Sequence, residues 1–189
     1  MCGAKNTFIV YHARIIIKGG KLFMKQLNKN GIRVLKTLHY AAAGCWIGGA
    51  IVLMVFNSNN DVAVLEGMLP GINTALILAD IWVLVPGAVG CLITGFAFSL
   101  FTPWGFFRHR WLTFKWLLTV ACILIGAFIL GIWEGEMLSI SLTLGNAALG
   151  DSTYLATKSK HLVVCAAQII ALLLMIGVSV FKPWKRKPL

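Results

Sequence analysis

The chain is short of charge, and shortest of acids. Only 12% of its 189 residues are Asp, Glu, Lys or Arg, and just six of them are acidic, whereas a soluble globular domain has about 25% charged residues. So few ions cannot solvate an ordinary domain surface, which excludes a water-soluble enzyme of the usual kind. Chemistry motifs are missing as well. There is no phosphate-binding glycine loop, no HExxH, no GxSxG and no CxxC, so nucleotide-driven transport, metalloprotease chemistry and serine hydrolysis have no support. No basic stripe interleaved with aromatics lies outside the apolar runs, which removes nucleic acid as a partner. The N-terminal arm also lacks the continuous apolar run and small-residue cleavage site of a signal peptide.

What the chain has instead is apolar length: 59% of residues are hydrophobic and the mean hydropathy is +0.84. A hydrocarbon core of about 30 Å takes about 20 helical residues to cross. Four runs qualify, roughly 34–56, 75–101, 111–133 and 161–181. Lipid leaves no partner for an unpaired backbone group, and no alternating barrel pattern is present, so the spans are expected to be helices. The expected fold is an all-α four-helix transmembrane bundle, a single domain over 24–189.

The net charge of +11 is arranged around those runs. Of the 17 Lys and Arg, all but Lys158 and Lys160 lie before or at the start of the first run, flank the second connection or follow the fourth run, and all six acids fall in or beside the first and third connections. Loops rich in Lys and Arg stay in the cytoplasm, so both termini are expected there, in a bacterial inner membrane. Lys182-Pro183-Trp184-Lys185-Arg186-Lys187 suits anionic headgroups, with Trp184 at the interface. Residues 1–23 are expected to be without structure. Ile15 to Met24 is what a purine-rich leader would encode, so Met24 is one candidate start and an amphipathic arm is the alternative.

Of five cysteines, Cys45, Cys91, Cys122 and Cys165 fall one to each run, with Cys2 in the leader. Their differing depths suit small buried residues better than a disulfide or metal set. Close helix packing favours small residues at intervals of four. Gly44 and Gly48 on the first run, and Gly87, Cys91, Gly95 and Ser99 on the second, are therefore candidate contact faces, for internal packing or self-association. Pro86 is expected to bend the second helix and free a carbonyl.

An ionisable group inside an apolar helix faces the bundle interior or a water-filled site. His39 is such a group, with Ala42, Ala43 and Trp46 on its helical face. That small-walled space beside an imidazole would accept a flat cofactor, and neutral imidazole is an axial ligand of haem iron; the alternative is a histidine hydrogen-bonded to a neighbouring helix. His161 is expected at the opposite membrane side, too far to share an iron with His39. His109, within a basic turn, suits solvent or headgroups. On the fourth run, His161, Cys165, Gln168, Leu172 and Met175 form a partly polar strip. It is either an interhelical hydrogen-bond seam or a quinone-facing or proton-relay strip, joined at the outer surface by Asp80, Glu134 and Glu136. The last two follow Trp133 and could equally be solvated acids ending the helix.

Three signals carry a resemblance: Lys36-Thr37-Leu38-His39-Tyr40 leading to Trp46 and Gly48-Gly49; Asp80 followed by Pro86-Gly87 and Thr94-Gly95; and Arg110-Trp111-Leu112-Thr113-Phe114-Lys115. In order and position they resemble the bacterial integral membrane proteins grouped as domain-of-unknown-function family 2269. More distantly, the pattern is similar to the CopD copper-resistance and HemJ-type protoporphyrinogen oxidase membrane proteins. The resemblance spans most of 33–181 and implies a four-helix unit with His39 as a haem b ligand, Lys115 matching a Trp-Leu-x-x-Lys signature. Position 113 is Thr where HemJ-type sequences tend to have His, and their closing Arg/Asn/Glu-rich pattern is missing after the fourth run, so protoporphyrinogen oxidation is not carried over. The resulting expectation is a b-type haem on His39, flanked by Trp46, with Lys36, Arg110 and Lys115 placed for the propionates, passing electrons to or from a quinone or porphyrin-like substrate. The alternative is a non-catalytic membrane subunit that associates with a partner or a second copy through its small-residue faces. Copper or small-solute transport comes third, because Met and Cys suit Cu(I) but no paired arrangement makes a site.

Overall fold

Long helices dominate the computed structural model, which describes residues 16–18, 21–23, 26–59, 68–102, 105–107 and 109–182. Helix α1 is Lys29–Ser58, α2 is Leu69–Phe101, α3 is Arg110–Gly150 and α4 is Ser152–Phe181, each long and apolar enough to cross a membrane. Inside the segment expected to lack structure, strands β1 (Ile16–Lys18) and β2 (Lys21–Phe23) pair antiparallel, with Ile16 opposite Phe23. Met24 as a start, the thiol of Cys2, His12, Arg108, Asp61, Glu66 and the tail from Pro183 lie outside the described residues.

The helices start where caps allow. Asn28 accepts from the Gly31 backbone N–H at 2.7 Å and Asp151 from that of Tyr154 at 2.8 Å, satisfying donors that a helix start leaves without partners. Pro70 sits in the first turn of α2, where its missing N–H costs nothing. The expected end of the third helix at Trp133 and start of the fourth at His161 are both corrected. The α-helix continues through Glu134 and Glu136 to Leu144, a 3-10 turn covers Gly145–Gly150, and α4 begins at Ser152. Glutamate is a good helix former, and the stop comes from Gly145, whose φ of 57° and ψ of −135° suit only glycine.

Pro86 lies inside α2 without ending it. The turn before it, Asp80–Leu84, is widened to a π-turn in which the Val85 N–H bonds the Asp80 carbonyl; a proline ring clashes with the carbonyl four residues back, and the wider turn relieves that. A second π-turn, Gly126–Leu130, closes from Gly131 to Gly126 in α3.

The Leu27 N–H bonds the Phe101 carbonyl and Lys115 meets Ser179, so the start of α1, end of α2, start of α3 and end of α4 gather at one end. Asn57, Asn73, Glu134 and His161 gather at the other. Two apolar cores follow the same division. The larger joins Trp46, Ala50, Leu53, Leu76, Leu84, Ala88, Cys91, Cys122, Cys165, Leu172 and Met175; the smaller, at the far end, joins Leu69, Met137, Ala148 and Tyr154. Leu38, Ile51, Trp82, Leu117, Phe128 and Val180 point outward, as lipid-facing residues should.

The tightest contact is between α1 and α2. A Cβ on Gly87 would lie 2.5 Å from the Trp46 backbone nitrogen and 2.9 Å from the Ala42 carbonyl oxygen, and one on Gly49 would lie 2.9 Å from the Leu84 Cβ. Gly87 is thus a contact residue, and Gly95 is a loose one, 4.0 Å from Trp116. Gly44 and Gly48 are not: a Cβ at either meets nothing within 4 Å, because α1 turns Ala42, Trp46 and Gly49 toward α2. Cys91, Cys122 and Cys165 are buried, but Cys45 is exposed, contrary to the expectation that each helix buries its thiol.

Candidate functional site

Helix α1 turns His39 toward α2, where Nδ1 stands 2.7 Å from Thr94 Oγ1. The Thr94 hydroxyl donates its one hydrogen to the Gly90 carbonyl at 2.6 Å, in the usual back-bonding of a helical threonine. It can therefore only accept from the ring, so His39 carries its proton on Nδ1 and a lone pair on Nε2. Among the described residues Nε2 has no hydrogen-bond partner. The Phe98 ring meets the imidazole edge to face at 5.7 Å.

Of the other residues expected around His39, the structure brings one near. Lys115 donates from Nζ to Ser179 Oγ at 2.6 Å and lies close enough to His39 and Cys91 to act on them electrostatically. Lys36 and Arg110 are exposed at the basic end. Trp46 is 3% exposed, two turns along α1 in the core where Gly87 closes on its backbone, so it does not wall a space beside the imidazole. His109 stacks on Trp111 with centroids 6.2 Å apart. The donor chemistry fits a haem on one face, through an imidazole of fixed tautomer with a cation nearby; the expected ring of Trp46, Lys36 and Arg110 is not assembled.

At the far end the predicted strip is drawn together more completely. His161, 0% exposed, places Nε2 3.0 Å from Oε1 of Glu134, itself 3% exposed. Both were expected at helix ends; they lie in helix interiors and are buried. Asp80 lies within electrostatic reach of both. Glu136 accepts from Thr157 Oγ1 at 3.0 Å. Cys165 Sγ donates to the Ala50 carbonyl at 3.4 Å, and Gln168 Nε2 to the Cys122 carbonyl at 3.1 Å.

Sequence reasoning missed Asn57, Asn73 and Tyr154. Asn57 Nδ2 reaches His161 Nδ1 at 2.8 Å, and Asn73 and Tyr154 bond each other across α2 and α4 at 3.2 Å. The signal was periodic. Trp46, Ala50, Leu53 and Asn57 on α1, and Leu69, Asn73, Leu76 and Asp80 on α2, share the spacing i, i+4, i+7, i+11, one face of a helix. On α4 the buried stripe starts at Tyr154, a full turn and more before the expected helix start. Among the described residues no three His, Cys, Asp or Glu side chains converge to hold a metal ion directly.

No family model, curated protein or solved structure matches this chain. The fold and the two polar sites therefore rest on the chain's own geometry: a helical protein with four helices able to span a membrane.

Proposed function

We propose that this chain is a multi-pass protein of a bacterial cytoplasmic membrane that binds one b-type haem through His39 and passes electrons between it and a quinone or porphyrin-like substrate. The observation that supports it is the hydrogen-bond chain from His39 Nδ1 through Thr94 to the Gly90 carbonyl. Histidines that ligate a metal almost always donate their other ring N–H to a carboxylate, backbone carbonyl or water, which fixes the tautomer and raises the basicity of the ligating nitrogen; here the Thr94 hydroxyl takes that place and passes the bond on to the Gly90 carbonyl. When bound, the haem would supply one-electron chemistry. His39 would hold the iron, Thr94 would orient the ring, and Lys115 is the cation nearest for a propionate. The basic residues at the His39 end, Lys29, Arg33, Lys36, Arg110 and Lys182, support a cytoplasmic position for that end and for both termini. The test is the reduced-minus-oxidised spectrum of protein purified in mild detergent. About one haem per chain, lost in His39→Ala and weakened in Thr94→Val, is expected; haem retained in His39→Ala overturns the assignment.

One observation favours a second reading, association without catalysis. Gly44 and Gly48 line an open groove of about 300 Å³ along the seam of α1 with α2, with Cys45 and Val52 on α1 and Ala79 and Val83 on α2. A colourless protein that self-associates, and loses that association in Gly48→Leu, would put this reading first.

A further inference from the structure

Independently of any haem, the far-end cluster has a hydrogen-bond order that assigns its protons. Asn57 Nδ2 faces two acceptors on α4: the Lys158 carbonyl oxygen at 3.5 Å and His161 Nδ1 at 2.8 Å. A carbonyl only accepts, so the amide presents its NH2 to both. His161 therefore accepts at Nδ1 and donates from Nε2 to Glu134 Oε1 at 3.0 Å. A second proton on the ring would have to displace the hydrogen that Asn57 supplies. The group left to take up a proton is the carboxyl that the ring faces.

We propose that Glu134 is a proton-binding site inside the bundle, with His161 as its fixed donor and Asn57 as the positioning residue that keeps the proton off the imidazole. The ligand is a proton from the aqueous phase at the far end. It adds to a carboxylate oxygen of Glu134, giving the neutral acid, and release returns the carboxylate; no bond but O–H forms or breaks.

The surroundings suit this role. Helix α1 contributes Asn57 and no titratable group. Helix α2 contributes Asp80, the second carboxyl within electrostatic reach. Helix α3 contributes Glu134 and Glu136, the latter held by Thr157. Helix α4 contributes Lys158, His161 and Cys165, with Tyr154 a turn further out bonded to Asn73. Asp80 opens one π-turn, and the other ends four residues before Glu134; such turns concentrate at functional sites. Inward, polar contacts continue to Cys165 and Gln168 and are interrupted at Leu172, which sits in the main core, before Thr119 meets the Met175 sulfur a turn further on. Glu134 and His161 are thus enclosed between the far-end apolar cluster and Leu172 of the main core.

The test uses the full chain in lipid nanodiscs, with infrared difference spectra between acid and alkaline buffer and nitrogen spectra of the protein labelled in its histidines. A deuterium-sensitive protonated-carboxyl band should titrate while His161 stays singly protonated. The band should vanish in Glu134→Gln, whose side-chain oxygen still accepts from His161. In Asn57→Asp the ring gains a second acceptor, so the carboxyl band should fall and an imidazolium signal appear. A band unchanged in Glu134→Gln, or a doubly protonated His161 over the range where the band titrates, overturns the proposal. Should Glu134→Gln fail to fold, a carboxyl band indifferent to Asn57→Asp overturns it.

Discussion

His39 and His161, at opposite ends of this bundle, are closed to different degrees. Among the described residues His39 has one hydrogen-bond partner, on one neighbouring helix, and it is half-buried. His161 has partners on two other helices and no exposed surface. They lie about 27 Å apart along α1, counting eighteen residues from His39 to Asn57 at 1.5 Å each. Their difference separates two kinds of chemistry. A ring with an open nitrogen can take a ligand, whereas one closed on both sides can only organise protons among its partners. The comparison is broken most sharply by replacing Glu134 with Leu. The neutral imidazole then loses the acceptor of its Nε2–H inside the bundle, and leaving a buried donor without its partner costs about 1–3 kcal/mol. Unfolding in detergent should show that loss, with Glu134→Gln recovering most of it. A Glu134→Leu variant as stable as His39→Leu would mean that the far-end network carries no more weight than the near one.

How the sequence divides between these ends explains what was legible in it. The four spans were visible because lipid demands about 20 apolar residues from each, and so were the contact role of Gly87 and the interior strip from His161 to Gln168. The far end was misjudged because hydropathy marks where lipid stops, not where helix stops. Glu134, Glu136, Lys158 and Lys160 looked like loop charges, yet they are helix formers, and the helix runs through Gly135 to stop only at Gly145, with the next starting after Asp151. Asn57 escaped notice because Asn57-Ser58-Asn59-Asn60, a polar stretch at the end of an apolar run, resembles a boundary. Only its partner on α4 makes it part of a site, and that register is a tertiary fact. Trp46 was misplaced for a related reason: sequence gives the face of a helix but not its rotation, and here α1 turns Trp46 into α2.

The same rotation sets the second contrast, between glycines that pack and glycines that do not. Gly87→Ala adds one methyl where the Trp46 nitrogen and Ala42 carbonyl already stand within 2.9 Å. Backbone cannot move aside as a flexible side chain can, so α1 and α2 must separate. Overpacking of this kind costs about 1–3 kcal/mol, to be read as a lower unfolding midpoint in detergent.

Smaller still is the effect expected at His39. Its hydrogen bond to Thr94 joins two helices, and such bonds in membrane proteins average about 0.6 kcal/mol. Without haem, His39→Leu should therefore lower stability by roughly that amount. With haem loaded, the same substitution should remove the additional stability that a ligand bound only to the folded state confers. Comparing wild type and His39→Leu before and after haem addition isolates the ligand's contribution: a stability gap that does not widen on loading would leave His39 as a packing residue and favour the association reading.

The smallest effect on the fold is expected at Gly44 and Gly48, and there its smallness is the informative result. Leucine at either position projects into open space, so the unfolding midpoint should move by less than about 0.5 kcal/mol, the range of surface substitutions that disturb no packed feature. Lipid tails are as apolar as leucine, so filling the groove gains nothing against lipid. A second helix seated there would be pushed away, because close approach depends on those missing side chains. Cross-linking in native membranes through Cys45, the exposed thiol beside the groove, reads this directly. A disulfide-linked dimer that disappears in Gly48→Leu while the midpoint holds would place a second copy of the chain on α1. An unchanged cross-linking pattern would leave the groove to lipid.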